Sequence, residues 1–136
     1  MEEARIINLP KFLDSRGNLS FIEQENQIPF LIKRTYWIYD VPGGESRGGH
    51  AYKDNQEFIV AMSGSFNIVL DDGIEKKTFL LNRSYFGLYV PKGCWREIVN
   101  FSTNSLALIL SSTEYDEKDY VRDYYEFLKL KKDGKF

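Results

Sequence analysis

His50 is the only histidine in 136 residues, and the residue types spaced around it could carry acid–base chemistry. Arg47 stands three positions before it, Tyr52 two positions after it and Glu57 seven after it. In an extended chain, side chains two apart point to one face, so His50 and Tyr52 should project side by side. A weak base, a phenol, a guanidinium and a carboxylate are then expected to converge on one spot. Imidazole titrates at about 6.5 when unperturbed, the one side chain that changes charge near neutrality without help, which makes His50 the natural general base. A phenol titrates near 10, so using Tyr52 as a base at neutrality costs about 4 kcal/mol. Tyr52 is better suited to donating a hydrogen bond or returning a proton.

The elements that must position these residues read as short strands. Residues 6–9, 19–23, 58–62, 65–70, 78–81, 87–90, 95–99 and 106–110 are apolar or β-branched runs. Turn residues recur between them every eight to twelve positions, the pattern of a sandwich or small barrel. Residues 30–41 are the longest such run, with Arg34, Tyr36 and Ile38 on one face and Lys33, Thr35, Trp37 and Tyr39 on the other. Asp71-Asp72-Gly73 is a hairpin turn. Only the carboxy terminus changes period: Tyr120, Val121, Tyr124, Phe127 and Leu128 follow helical spacing, with acidic residues near the start. A helix over about 117–131 is expected, its tyrosines serving as packing.

A chain of this length fits one domain, 1–136, able to bury roughly 70% of its unfolded surface. The single cysteine, Cys94, excludes an internal disulfide, reads as a small buried hydrophobe, and points to a reducing compartment, the cytoplasm. The charged start, Met1 to Arg5, lacks the apolar run of a secretory signal, and no stretch reaches the roughly 18 apolar residues of a membrane span. A net charge of -2 argues against non-specific nucleic-acid binding. Aromatics at 15% of the chain, with recurring Val, Ile and Thr, favour strands.

The spacing from Gly44 through His50, Tyr52 and Glu57 to Gly64 resembles the first cupin motif, with Tyr52 in place of its second histidine. Pro91-Lys92-Gly93-Cys94-Trp95-Arg96 with Asn100 resembles the second, with Arg96 in place of its histidine. Arginine does not give up its proton, and one His with one Glu falls short of the three ligands a catalytic metal site takes, so a metal-free and cofactor-free cupin is predicted. Asp14-Ser15-Arg16-Gly17, Lys33-Arg34-Thr35-Tyr36, Arg47-Gly48-Gly49-His50-Ala51, Gly87-Leu88-Tyr89-Val90 and residues 114–124 are together similar to the WxcM-like nucleotide-sugar 3,4-ketoisomerases. That resemblance implies an all-β jelly-roll barrel with a C-terminal helix, a homodimer, and isomerisation of dTDP-4-keto-6-deoxyglucose to a 3-keto sugar for surface glycans. Arg16-Gly17 resembles the subgroup whose product is galacto-configured.

Such a reaction removes the proton on carbon 3, passes through an enediolate, and delivers a proton to carbon 4. The resemblance places the base at His50, where the residue chemistry also puts it. Tyr52 departs from the family's histidine, which leaves a rival class open: a cupin that binds a dTDP-linked 4-keto-6-deoxyhexose without turning it over. Arg34, Arg47 and Arg96 are candidates for the diphosphate, since guanidinium forks match phosphate oxygens. Tyr36, Trp37 or Trp95 could stack on the base, although Trp95 is equally core filler. Glu57 is readable either as a substrate contact or as a strand residue paired with an arginine.

Overall fold

Alternating apolar and polar positions build two antiparallel sheets in the computed structural model, which describes residues 3–136. In chain order the strands are β1 (Arg5–Asn8), β2 (Lys11–Phe12), β3 (Leu19–Ser20), β4 (Arg34–Ile38), β5 (Arg47–Tyr52) and β6 (Glu57–Ser63), then β7 (Phe66–Asp71), β8 (Lys76–Leu81), β9 (Phe86–Val90), β10 (Trp95–Val99), β11 (Leu106–Ser111) and β12 (Tyr120–Val121). One sheet has the order β1-β9-β6-β11-β4 and the other β12-β5-β10-β7-β8, while β2 and β3 pair as a separate hairpin. Two facing antiparallel sheets agree with the sandwich or small barrel expected from the strand spacing and with the all-β jelly roll that the family resemblance implies.

The inward faces of both sheets meet in one core. Ile59, Leu88 and Ile109 from the first sheet and Ile68, Leu70, Leu81 and Ile98 from the second are fully buried together. Each such side chain contributes about 1.5–3 kcal/mol on leaving water, which holds the sheets face to face. The outer face of the first sheet is covered as well, where Phe58, Val60, Tyr89 and Leu110 bury against Leu9, Ile28 and Phe30. Burial on both faces explains why Phe58-Ile59-Val60-Ala61 is apolar throughout instead of alternating.

Turn chemistry sets the β7–β8 hairpin as expected: the Asp71 carboxylate accepts from the Gly73 amide at 2.7 Å, and Asp72 accepts from the amides of Ile74 and Glu75, each at 2.9 Å. Two expected strands are shorter than their apolar runs. β4 covers Arg34–Ile38, the stretch in register with Ser111 to Ala107 of β11, and β3 covers Leu19–Ser20 alone.

The C-terminal helix α1 is Tyr124–Lys132, later than the expected start near 117. Asp123 is its N-cap, accepting from the Tyr125 amide, and Lys129, Lys131 and Lys132 complement its C-terminal end. Residues 117–121 instead form a 3-10 turn, Glu117–Asp119, and β12. Strand pairing overrides helical spacing here because it sets Val121 beside Ala51 and Tyr120 opposite Tyr52, burying Val121 with Ala51, Trp95 and Phe127. Among the described residues no helix is long and apolar enough to cross a membrane.

Candidate active site

A cavity of about 710 Å³ opens where β4, the edge of the first sheet, faces β5 and β12 at the edge of the second. His50 on β5 lies opposite Arg96 on β10 in the strand register, and Tyr52 lies opposite Tyr120. The expected side-by-side pair forms, with the His50 and Tyr52 rings 4.8 Å apart between centroids. Tyr120 completes a triangle of rings, 5.0 Å from His50 and 4.7 Å from Tyr52. His50 is 6% exposed, and its Nε2 has no hydrogen-bond partner among the described residues. Burial pushes its pKa down, to about 2, and the cations Arg96, Arg122 and Arg34 push the same way while Glu117 opposes them. The imidazole is therefore neutral, the state a proton acceptor requires.

The cavity floor is a closed polar network. Glu57, fully buried at the start of β6, takes the Nε of Arg96 on Oε1 at 2.6 Å. Its Oε2 accepts from Arg96 Nη2 at 3.2 Å, from the Tyr52 hydroxyl at 3.3 Å and from the Tyr36 hydroxyl. Arg96 Nη2 also donates to the Tyr36 oxygen at 2.7 Å. Burial raises the pKa of Tyr36 and of Tyr52, with the Glu57 charge adding to the rise, so both phenols are neutral. The Arg96 guanidinium also forces Gly48: at φ 78° a side chain there would be strained, and a Cβ would lie 2.1 Å from Arg96 Nη1.

The rim is cationic and more open. Arg47 is exposed with no carboxylate partner among the described residues. Arg34 stands 5.5 Å from the Tyr36 ring and 5.7 Å from the Tyr115 ring, its Nε without a hydrogen-bond partner among the described residues. Arg122 stacks over Tyr120 at 4.2 Å and forks onto Glu117 at 2.9 and 3.2 Å. Tyr115 donates to the same carboxylate. Those two donors, Arg122 first, hold the Glu117 carboxyl down at about 2. Trp37 and Tyr39 form an aromatic edge of the opening.

His50, Tyr52, Tyr36, Arg34 and Arg47 all line one cavity. Four other candidates are placed differently. Arg96 reaches the cavity wall, but its side chain is 1% exposed and engaged with Glu57, so it is not a ready phosphate ligand. Glu57 does not line the cavity and belongs to the alternative reading, a strand carboxylate paired with an arginine. Trp95 points away from the cavity, packing on Tyr124 and Phe127 and donating to Glu97 at 3.2 Å. Arg16 is exposed on the β2–β3 turn, ion-paired with Asp14 at 2.7 Å and outside the cavity lining. Sequence reasoning missed Tyr115, Tyr120 and Arg122, and Tyr120 is a cavity wall instead of helix packing. The signal for it lay between Asp119 and Asp123, where Tyr120 and Arg122 share one face and Val121 the other. Among the described residues no group of three or more His, Cys, Asp or Glu side chains is placed to hold a metal ion.

Residues 2–132 match the family model described as FdtA, WxcM-like, C-terminal. The chain belongs to that family. A curated relative, the TDP-4-oxo-6-deoxy-alpha-D-glucose-3,4-oxoisomerase of Aneurinibacillus thermoaerophilus, is 42% identical over 127 residues, covering 93% of this chain and 91% of that one. A crystal structure of a 3,4-ketoisomerase from Helicobacter canadensis superposes with a TM-score of 0.93 at 42% identity, over 96% of this chain and 98% of its own. The sugar 3,4-ketoisomerase QdtA from Thermoanaerobacterium thermosaccharolyticum, in complex with TDP, matches with a TM-score of 0.94 at 34% identity, over 98% and 97%. Both the family match and the ketoisomerase structures span nearly the whole chain.

Proposed function

We infer that the protein is a nucleotide-sugar 3,4-ketoisomerase that converts dTDP-4-keto-6-deoxyglucose to the 3-keto isomer. The observation that carries this reading is a buried, neutral His50 with an unpartnered Nε2, set among phenols inside a cavity rimmed by arginines. The ketone at carbon 4 acidifies the proton on carbon 3, His50 accepts it, and the same imidazole returns a proton at carbon 4. Arg34, Arg47 and Arg122 supply the cations for the diphosphate. Two of these, Arg34 and Arg122, also depress the basicity of His50. A diphosphate bound between them offsets that field, so substrate binding itself strengthens the base. Enolisation at a ketone needs no redox partner, in keeping with a reaction that asks for no cofactor.

The galacto configuration at carbon 4 and a homodimer complete the proposal. Exposed Phe12, Leu13 and Leu19 on the β2–β3 hairpin and exposed Trp37 on edge strand β4 are apolar surface suited to a second copy. Arg16, carried on that hairpin, would reach a substrate only across such an interface. The lone cysteine supports action in the cytoplasm. NMR of the protein with dTDP-4-keto-6-deoxyglucose in D2O tests the reading: a 3-keto product should accumulate, with deuterium appearing at carbon 4 or carbon 3. Binding of the nucleotide sugar with neither product nor exchange would favour the non-catalytic cupin.

A further inference from the structure

A general base acts only when correctly aligned with the carbon it deprotonates, so an imidazole must be held as well as placed. Ordinarily a hydrogen bond to one ring nitrogen from a further side chain or a carbonyl does the holding. His50 lacks that device at Nε2, which has no hydrogen-bond partner among the described residues. Rings hold it instead: Tyr52 stands edge-on at 4.8 Å and Tyr120 tilted at 5.0 Å, centroid to centroid. We propose that Asp119 is a positioning residue for the base, pinning β12 so that Tyr120 stays against His50. The proposal rests on the ketoisomerase reading.

Tyr120 needs pinning because of where it sits. β12 is two residues long and lies at the edge of its sheet, with Tyr120 paired to Tyr52 and Val121 to Ala51. So short an edge strand frays when nothing else ties it down. Asp119, directly before it, binds the β5–β6 turn at three points. Its Oδ1 accepts from the Asp54 amide at 2.7 Å, its Oδ2 from the Asn55 amide at 3.1 Å, and its carbonyl from the Lys53 amide at 3.0 Å.

That turn is itself fixed from the opposite sheet. Asn55 is 1% exposed, and its Oδ1 accepts from the amides of Ser112 and Thr113 at 3.0 and 3.1 Å, just beyond β11. The Gln56 amide donates to Ser112 Oγ at 2.8 Å, and the Ser112 amide donates back to the Gln56 carbonyl at 3.0 Å. A chain of hydrogen bonds thus runs from the first sheet through Asn55 and Asp119 to the ring beside the base. An acidic residue ahead of a helix suits the helix dipole, but α1 begins at Tyr124 and is capped by Asp123, so Asp119 is not needed there.

A double-mutant cycle tests the proposal, read as exchange of the carbon 3 proton of dTDP-4-keto-6-deoxyglucose in D2O at saturating substrate, well below each variant's melting temperature. Asp119→Ala and Tyr120→Leu should each slow exchange about tenfold to a hundredfold, the effect of a displacement of roughly 1 Å. Combined, they should slow it by no more than about twofold beyond the slower single variant, because Asp119 acts through Tyr120. Losses that multiply overturn the proposal, as does a loss under about threefold in either single variant. Should Asp119→Ala not fold, Asp119→Asn takes its place: it keeps one acceptor oxygen but turns an NH2 group toward a backbone amide that needs an acceptor, and the same outcomes decide. A second readout needs no substrate. His50 is the only histidine, so its ring C–H protons give isolated NMR signals. The Asp119 variant should shift them in the same direction as Tyr120→Leu, through the lost ring current, and signals at wild-type positions would overturn the pinning. Wild-type protein without exchange would sink the ketoisomerase reading, and the imidazole signals would still decide the role of Asp119.

Discussion

The floor and the rim of the cavity are both built from arginine, carboxylate and tyrosine, yet they differ in what water can reach. On the floor the Arg96–Glu57 pair is about 1% exposed on each side, and its partners Tyr36 and Tyr52 are neutral and fixed. On the rim the Arg122–Glu117 pair is 56% and 60% exposed, closed by Tyr115 from outside. A desolvated pair has no substitute for a lost partner, whereas an exposed fork exchanges a carboxylate for water or phosphate at little cost. The same three residue types therefore make a rigid, desolvated wall in one place and an open, exchangeable ion pair, suited to the proposed diphosphate clamp, in the other.

Breaking the floor should have the largest effect. Arg96→Met leaves the Glu57 carboxylate buried without its cation, and we expect a loss of about 3–5 kcal/mol in chemical denaturation. A loss below about 1 kcal/mol would mean that water reaches the pair. The rim should respond in affinity instead of stability. Arg122→Ala should raise KM roughly tenfold, the worth of one charge-assisted hydrogen bond, with kcat and melting temperature little changed. A fall in kcat with unchanged KM would move Arg122 from the clamp to the chemistry.

Much of this division was legible in the chain. The two-residue spacing of His50 and Tyr52 set their common face, and the lone imidazole is what makes His50 the candidate base. The use of Arg96 was not legible, because whether a guanidinium meets a ligand or a buried carboxylate depends on Glu57, 39 positions away. Strand alternation did carry a warning: Trp95 and Arg96 are neighbours on β10, so only one could face the cavity. Tyr120 was hidden by tyrosines and apolar residues whose spacing fits a helix, and only pairing with β5 reveals it as strand. The one-turn 3-10 segment and the cap at Asp123 are short-range features, yet their placement answers to Ala51 and Trp95, which are distant in sequence.

A smaller effect separates floor from rim by pH. His50 has a folded pKa of about 2 against an unperturbed 6.5, so between those values the unfolded chain binds the extra proton. Stability from this group is fully present above about 6.5 and falls as pH drops toward 2. Denaturation midpoints from pH 7 to pH 4.5 should therefore decline less steeply for His50→Asn than for wild type, and parallel curves would place the imidazole in water. The smallest expected effect is none. Chelator added to the working enzyme should leave its rate unchanged, and inhibition reversed by a divalent cation would reassign the floor to a metal.

The central claim is that one buried imidazole moves the carbon proton. Its most direct test is the rate of carbon 3 deuterium exchange in dTDP-4-keto-6-deoxyglucose catalysed by His50→Asn, with dTDP binding and melting temperature measured on the same protein. Exchange should fall by about 10² to 10⁴, the span expected for a lost general base, while binding and folding persist. Exchange at the wild-type rate in a folded, nucleotide-binding His50→Asn protein would contradict the account.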